Sequence, residues 1–257
     1  MPPVSVTIIT LDEADHIGAA IDSVTWADEV VVVDSNSRDD TAAIARAKGA
    51  RVEVRGWPGY AAQKNHAAGL AHNEWILSLD ADERVSAALA AEIQALLGAE
   101  PARRGYRMPR ATFHLGRWMR TTDFYPDYQT RLYDRRAARW QGRYVHESVQ
   151  VDGGAAYLKG ELLHHSYRDL RDQIERVNHY STLWARQNHE AGRRAGPLDL
   201  VIHPPAAFIR NYLLRRGFLD GTAGLLLSGV NAWGVYLKLA KLWELEKVAR
   251  TQAPPAH

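Results

Sequence analysis

Along the first hundred residues, apolar positions come in blocks that switch between two periods. Val4–Thr10 is a short β-branched run and predicts a strand. Ile17, Ala20, Ile21 and Val24 fall on one helical face and predict a helix over Glu13–Val24. Glu29–Asp34 is almost continuously apolar, the pattern of a strand buried on both faces. The Ala-rich Thr41–Lys48 predicts a helix stopped at Gly49, and Arg51–Val54 a short strand. Gly59–Ala71 reads as a helix and Glu74–Asp80 as a further buried strand. Ser86–Leu97 reads as a helix with Ser86 as its N-cap.

Strands alternating with helices imply right-handed βαβ units. The fold class is therefore α/β, a doubly wound, mainly parallel sheet with helices on both faces. Ligands bind such sheets at the carboxyl ends of the strands. Thr10, Asp34 and Asp80 each end a predicted strand, so the three are expected to line one crevice.

The pattern then changes. Between Gly105 and Leu158 only short strand-like pieces recur, at Gly105–Pro109, Thr130–Tyr133 and Ser148–Val151, which predicts mixed or antiparallel structure. Past His165 the chain turns helical, with helices expected over Leu170–Ala191, Pro204–Arg216 and Thr222–Val248. This divides the chain into a catalytic-type domain over 1–165 and a C-terminal helical extension over 166–257. Gly221–Leu237 carries no charge and is flanked by Arg210, Arg215 and Arg216 on one side and Lys238, Lys241 and Lys247 on the other. With Trp233 and Tyr236 near its end, it suits a helix lying in a membrane interface. Packing in the core or in a homo-oligomer contact is the plainer use, and 17 residues is the lower limit for a span.

Composition narrows the chemistry. The chain has 257 residues with 46% hydrophobic and 24% charged, ordinary globular values. No cysteine is present, which excludes disulfides, thiol nucleophiles and Cys-ligated metals. The start of the chain shows no secretory leader pattern, so a cytoplasmic location is expected. A net charge of +2 is too mild to imply nucleic acid. The positive charge is concentrated, however: eleven arginines from Arg103 to Arg143 face only Asp123, Asp127 and Asp134. Such a segment is either a solvated surface or a face for phosphates and anionic lipid heads.

The sharpest local signal is Asp80-Ala81-Asp82-Glu83, directly after a buried strand. Two carboxylates so placed can share a divalent cation, Mg²⁺ or Mn²⁺, with a diphosphate. The bland alternative is an acidic turn before a helix N-terminus. Asp34, in Val33-Asp34-Ser35-Asn36-Ser37, can accept from a base N–H or a ribose hydroxyl. Thr10-Leu11-Asp12-Glu13 ends the first strand, and Lys64 in Gln63-Lys64-Asn65 could reach a base or phosphate.

Taken together these segments resemble family 2 glycosyltransferases of the GT-A fold. The matching order is Thr10–Asp15, Val31–Thr41, Gln63–Ala67 and Leu77–Glu83. Later stretches, Tyr125–Leu132, Val145-His146-Glu147, His164–Tyr167 and Gly217–Gly221, are similar to the lipopolysaccharide core β-1,4-glucosyltransferase group. The sequence departs from the family pattern at Asp12, where Asn is usual, and at Ser35-Asn36-Ser37, where Asp-Gly-Ser is common. The family's Glu-Asp pair that supplies a base is absent as such.

The resemblance implies an inverting hexosyltransferase using a nucleotide-sugar donor, UDP-glucose foremost, and a divalent cation. Thr10, Leu11 and Glu13 would border base and ribose, Asp34 would bind uracil or ribose, and Lys64 would sit beside the base. Asp80 and Ala81 would lie at the ribose or pyrophosphate, and Asp82 would hold the metal with His165. Asp127 is the first candidate base and Glu147 the second, with Asp123 behind them; Arg131 would brace the base. The acceptor would be an anionic glycolipid, a lipopolysaccharide core, met at the inner membrane face. Polyprenyl phosphate or another glycolipid is the alternative acceptor, and a non-catalytic membrane-associated scaffold is the alternative of another class. A sugar-1-phosphate nucleotidyltransferase is disfavoured, because its Gly-rich basic loop is replaced by the acidic Leu11–Asp15.

Overall fold

The structure, a computed structural model, describes residues 2–142 and 147–252, with side chains to Lys247. Arg143 and the Val145-His146 half of the motif ending at Glu147 lie outside the described residues. The chain divides into two compact units, 1–112 with 126–166, and 113–125 with 167–257.

The first unit is built on four parallel strands, β1 (Val4–Thr10), β2 (Glu29–Asp34), β3 (Arg51–Val54) and β4 (Trp75–Asp80), in the order β3-β2-β1-β4. They connect through α1 (Ala14–Asp22), α2 (Thr41–Ala47) and α3 (Tyr60–Leu70). Then come β5 (Glu83–Val85), α4 (Ala87–Gly98) and β6 (Gly105–His114). After β7 (Arg117–Trp118) the chain returns in β8 (Asp127–Asp134), β9 (Ala138–Gln141), β10 (Ser148–Val151), β11 (Ala156–Tyr157) and β12 (Leu162–His164). β8 lies antiparallel between β4 and β6, and the sheet continues through β12 to β5. A register shift at Tyr106/Arg107 marks a bulge in β8 at Arg131.

Both faces of this sheet are covered, because successive residues of a strand point to opposite sides. Val6, Ile8, Leu77 and Leu79 pack with Ile17 and Ile21 of α1 and with Leu89 and Ile93 of α4. Ile9, Val33 and Ile76 belong to clusters that include Ala67 and Ala68 of α3. The predicted strands β1, β2 and β3 hold at both ends, and Ser86 caps α4 by accepting from the Leu89 N–H at 3.2 Å. The three-residue strands β5 and β12 and the two-residue β7 and β11 were not predicted, nor was β9; most are too short to show a period.

In the second unit, Phe113 and His114 at the end of β6 pair with β7. Three helices follow: α5 (Leu170–Glu190), α6 (Pro197–Ile209) and α7 (Gly221–Gln252). Ala185, Ala195 and Leu242 form its core with Trp184, Leu239 and Leu245 against them. The sequence reading began the second of these helices at Pro204. Instead it begins at Pro197, with the Gly196 N–H bonded to Asp199 at 2.7 Å, and it runs through Pro204 and Pro205. Proline at the first helical position lacks only an N–H that has no helical partner there. Asp220, in the motif Gly217–Gly221, is buried and accepts from Thr121 Oγ1 at 2.5 Å while Arg117 pairs with it at 3.0 Å. Among the described residues no helix is long and apolar enough to cross a membrane.

Glu29, at the start of β2, shows how the first unit responds to acid. Burial pushes its carboxyl up, but the His72 N–H, Ser5 Oγ and Arg51 together hold it at about 2, against an ordinary 4.5. A depressed carboxyl stabilises the fold fully above its unfolded value and loses that contribution as the pH falls through the folded one. Glu29→Gln is expected to weaken the protein at neutral pH and to flatten its loss of stability between pH 4.5 and about 2. Urea denaturation across that range, compared with the parent chain, checks this.

Candidate functional site

Register brings the predicted strand ends together. Thr10 pairs with Asp34 across β1 and β2, and Ile9 pairs with Asp80 across β1 and β4. Asp34 is buried and accepts from the Ser37 N–H at 2.9 Å and from the Ser37 hydroxyl. The two loops that follow β1 and β2 are stitched to each other. Asp12 accepts from the Arg38 N–H at 2.7 Å, its own N–H donates to Ser37 Oγ at 2.9 Å, and the Glu13 N–H donates to Thr41 Oγ1 at 2.8 Å. Asp12 and Asn36 sit in the left-handed region, at φ 54° and 66°. Asp and Asn tolerate that conformation better than most side chains. Leu11 is exposed and Ala81 buried. Thr10 Oγ1 and Gln63 Oε1 are buried with no hydrogen-bond partner among the described residues, in the neighbourhood where a donor's base and ribose were expected.

Beside β4 lies a cluster of alternating charge, buried at Lys64, Arg131 and Glu83 and half-buried at Asp80, Arg110 and Asp127. Lys64 Nζ is 2.8 Å from Asp80 Oδ1, and Arg131 Nη2 is 2.5 Å from Asp80 Oδ2. The same Nη2 is 2.6 Å from Glu83 Oε1, and Arg110 Nη1 reaches that oxygen at 3.1 Å. Glu83 Oε2 accepts from the Asp80 N–H at 3.1 Å. Arg110 then grips Asp127 Oδ2 through Nε at 2.9 Å and Nη2 at 2.6 Å, while Gln129 donates to Oδ1 at 2.8 Å. Trp140 caps the cluster, its ring centre 4.2 Å from Lys64 Nζ and 5.7 Å from the Arg131 guanidinium carbon.

Burial alone would push the Asp80 carboxyl up, but Arg131 and Lys64 hold it well below the usual carboxylate range. Burial lowers Lys64, with Asp80 opposing that effect, and the two acids beside Arg131 fix its charge against burial.

Lys64, read as a neighbour of the base, is 2% exposed and pairs with Asp80. Arg131 braces Asp80 and Glu83, and Arg110 holds Asp127 in its place. Glu83, the third acid of the motif and absent from the expected site residues, has no exposure at all. The ring that meets Asp82 is His164, Nε2 to Oδ2 at 3.2 Å; His165, expected to share a metal with Asp82, is the next residue. His165 donates its backbone N–H to the Asp82 carbonyl at 2.9 Å and stacks on His16. Burial, with Arg84 and His16 beside it, lowers the His165 imidazole. Burial pushes Asp82 up, and His164 brings it below the ordinary value. Glu147 has no hydrogen bond to this cluster among the described residues, and its Oε2 is buried without a partner. Asp123 lies outside the first unit, paired with Arg215 at 2.7 Å.

A divalent cation has a limited donor set. No group of three or more His, Asp or Glu able to hold a metal occurs among the described residues. Asp82 with His164 offers one carboxylate and one imidazole, which fits a cation that completes its shell from a diphosphate and water. Asp80 has both oxygens engaged by cationic side chains.

Known proteins bear on this geometry. Residues 5–162 match the model of glycosyl transferase family 2. An uncharacterized glycosyltransferase of Rickettsia felis is 35% identical over 95% of this chain and 90% of its own. A lipopolysaccharide core biosynthesis glycosyltransferase of Rhizobium meliloti is 31% identical over 94% of this chain and 92% of its own. The crystal structure of mannosyl-3-phosphoglycerate synthase from Rubrobacter xylanophilus superposes with a TM-score of 0.49 at 19% identity, covering 76% of this chain and 77% of that one.

Removing one partner of a buried ion pair leaves an uncompensated charge. Arg131→Met leaves Glu83 with Arg110 alone and Asp80 with Lys64 alone, and is expected to cost about 3–5 kcal/mol. Arg136→Met, on an exposed arginine whose partner Asp134 keeps Arg104, is expected to cost less than that. Equilibrium unfolding of both variants makes the comparison.

Proposed function

The chain belongs to glycosyl transferase family 2, and on that premise we propose that it transfers a hexose, glucose from UDP-glucose, onto a lipopolysaccharide or lipooligosaccharide core acceptor with inversion. One observation carries the catalytic part. A chain of charge-assisted contacts runs from the carboxyl end of β4 to Asp127, ordering acids at the site where doubly wound sheets bind ligands. The acceptor class follows the Rhizobium meliloti relative, whose likeness spans nearly the whole of both chains. The alternative acceptor is polyprenyl phosphate or another glycolipid.

In this reading Thr10, Leu11, Glu13 and Asp34 line the base and ribose, and Asp80, Ala81 and Asp82 border the diphosphate. Lys64 and Arg131 hold the Asp80 carboxylate still, so its orientation costs nothing to reorganise when charge develops. Asp82 with His164 would hold Mg²⁺ or Mn²⁺, which when bound supplies positive charge against the leaving diphosphate. The acceptor hydroxyl attacks the anomeric carbon on the face opposite the diphosphate. Asp127 takes its proton as the new glycosidic bond forms and the bond to the diphosphate oxygen breaks. Arg110 and Gln129 fix the direction of that carboxylate. Glu147 is the second candidate base, on the strength of its unpartnered buried oxygen. The work would take place at the inner membrane face, without nucleic acid.

A ligand that binds only the native state raises the melting temperature by mass action. UDP with Mn²⁺ at a hundredfold excess over Kd is expected to add roughly 5–10 °C. Asp82→Ala is expected to keep a cooperative transition and to lose the metal-dependent part of that shift. No shift with any nucleoside diphosphate in a folded sample overturns the reading. Mass detection of hexose transfer from UDP-glucose, onto core acceptor or onto polyprenyl phosphate, then decides between the acceptors.

A further inference from the structure

The second unit carries large apolar side chains on its outside. In α6, Leu198, Val201, Ile202, Pro205 and Ile209 recur on one helical face, and all are exposed, Leu198 at 74%. In α7, Leu225, Leu226, Trp233, Tyr236 and Trp243 do the same. The turn between these helices adds Leu213, Leu214 at 75%, Phe218 and Leu219. Single exposed leucines need no explanation, but runs of them on successive elements mark an interaction surface.

Charge says what covers it. From 191 to 243 there are seven cations (Arg193, Arg194, Arg210, Arg215, Arg216, Lys238 and Lys241) against two acids, Asp199 and the buried Asp220, and Asp123 of the same unit pairs with Arg210 and Arg215. Arg215 and Arg216 sit directly between Leu213-Leu214 and Phe218-Leu219. Trp233 and Tyr236 stack with ring centres 5.4 Å apart, amphipathic rings suited to a headgroup layer. A groove of about 420 Å³ opens between α5, α6 and α7. Trp184, Ala206, Ala207, Val235 and Leu239 line it, with Arg210 and Lys238 beside them. That is the chemistry of an acyl chain ending in a phosphate. A two-fold contact with a second copy would set Arg215 and Arg216 near their own equivalents, which like charge opposes.

We propose that α6, the turn after it and the exposed stripe of α7 form a docking surface for an anionic phospholipid bilayer, with the helices lying in the interface and one lipid chain seated in the groove. The inference rests on the membrane-face part of the function proposed above. Vesicle binding needs neither donor nor acceptor, so the two fail separately: Asp82→Ala is expected to bind vesicles like the parent chain.

The full chain is sedimented with vesicles of phosphatidylcholine alone and of phosphatidylcholine with phosphatidylglycerol. Binding to the anionic vesicles, weakened by salt, is expected. Leu213→Glu/Leu214→Glu and Arg193→Glu/Arg216→Glu are each expected to lower the partition coefficient at least about tenfold, with melting temperature unchanged. Equal binding to both vesicle types, or an unchanged partition of the folded leucine variant, overturns the proposal. So does a concentration-dependent dimer, seen by sedimentation velocity, that binds no vesicle and is lost in that same variant.

Discussion

The Arg131 guanidinium is the contact on which the site depends. One of its nitrogens serves both Asp80 and Glu83, at 2.5 and 2.6 Å. Without it, two carboxylates three residues apart would face each other where burial makes unpaired charge expensive. Everything downstream is hung from that bridge. Glu83, held by Arg131, accepts the Asp80 N–H and one arm of Arg110, and Arg110 holds Asp127. Lys64 takes the simpler task of a single contact to Asp80 under the ring of Trp140. That ring is itself pinned: Asn65 donates to the Trp140 carbonyl at 2.9 Å and accepts its N–H at 3.0 Å, and Tyr133 accepts from the indole.

The two aspartates of the Asp80-Ala81-Asp82 triplet therefore differ in kind. Three cations and three anions, Lys64, Arg110 and Arg131 with Asp80, Glu83 and Asp127, balance within the cluster, and Asp80 is neutralised by protein alone. Asp82 meets His164 instead, a partner that can yield to a cation because an imidazole ligates as readily as it hydrogen-bonds. A sequence motif that looks like one metal clamp thus separates into an acid held by two cationic side chains and an acid that meets only an imidazole.

This separation also marks how far the sequence could be read. The parallel half was legible because β2 and β4 are apolar on both faces and end in Asp34 and Asp80, so period and position agreed. β5 and β12 were not, since three residues show no period, and with them went the distinction between His164 and His165 at the end of β12. Lys64 could be read only as a cation near the base or phosphate; the packing of α3 is what puts it 2% exposed against Asp80. Arg110 and Arg131 lie among eleven arginines between 103 and 143, and nothing local tells the two that join the cluster from their neighbours. The remaining signal was Glu83 itself, a third acid directly after the triplet and before a strand too short to name, an acid that burial obliges to find a cation.

Polarity in the second unit follows from how closely its helices approach. A Cβ at Gly224 would lie 1.8 Å from the Gly217 carbonyl oxygen, and one at Gly234 would lie 3.2 Å from the Val177 side chain. Ala185 and Ala207 are buried alongside them. Small residues therefore occupy much of the interior, and many large apolar side chains of the same helices have no room there. Helical period in the sequence shows that such residues share a face, but not which way that face points. In a water-facing unit the face points inward; where small residues hold the helices together, as in packing within lipid, it points out. The glycines of α7, more than its leucines, are what decide the direction.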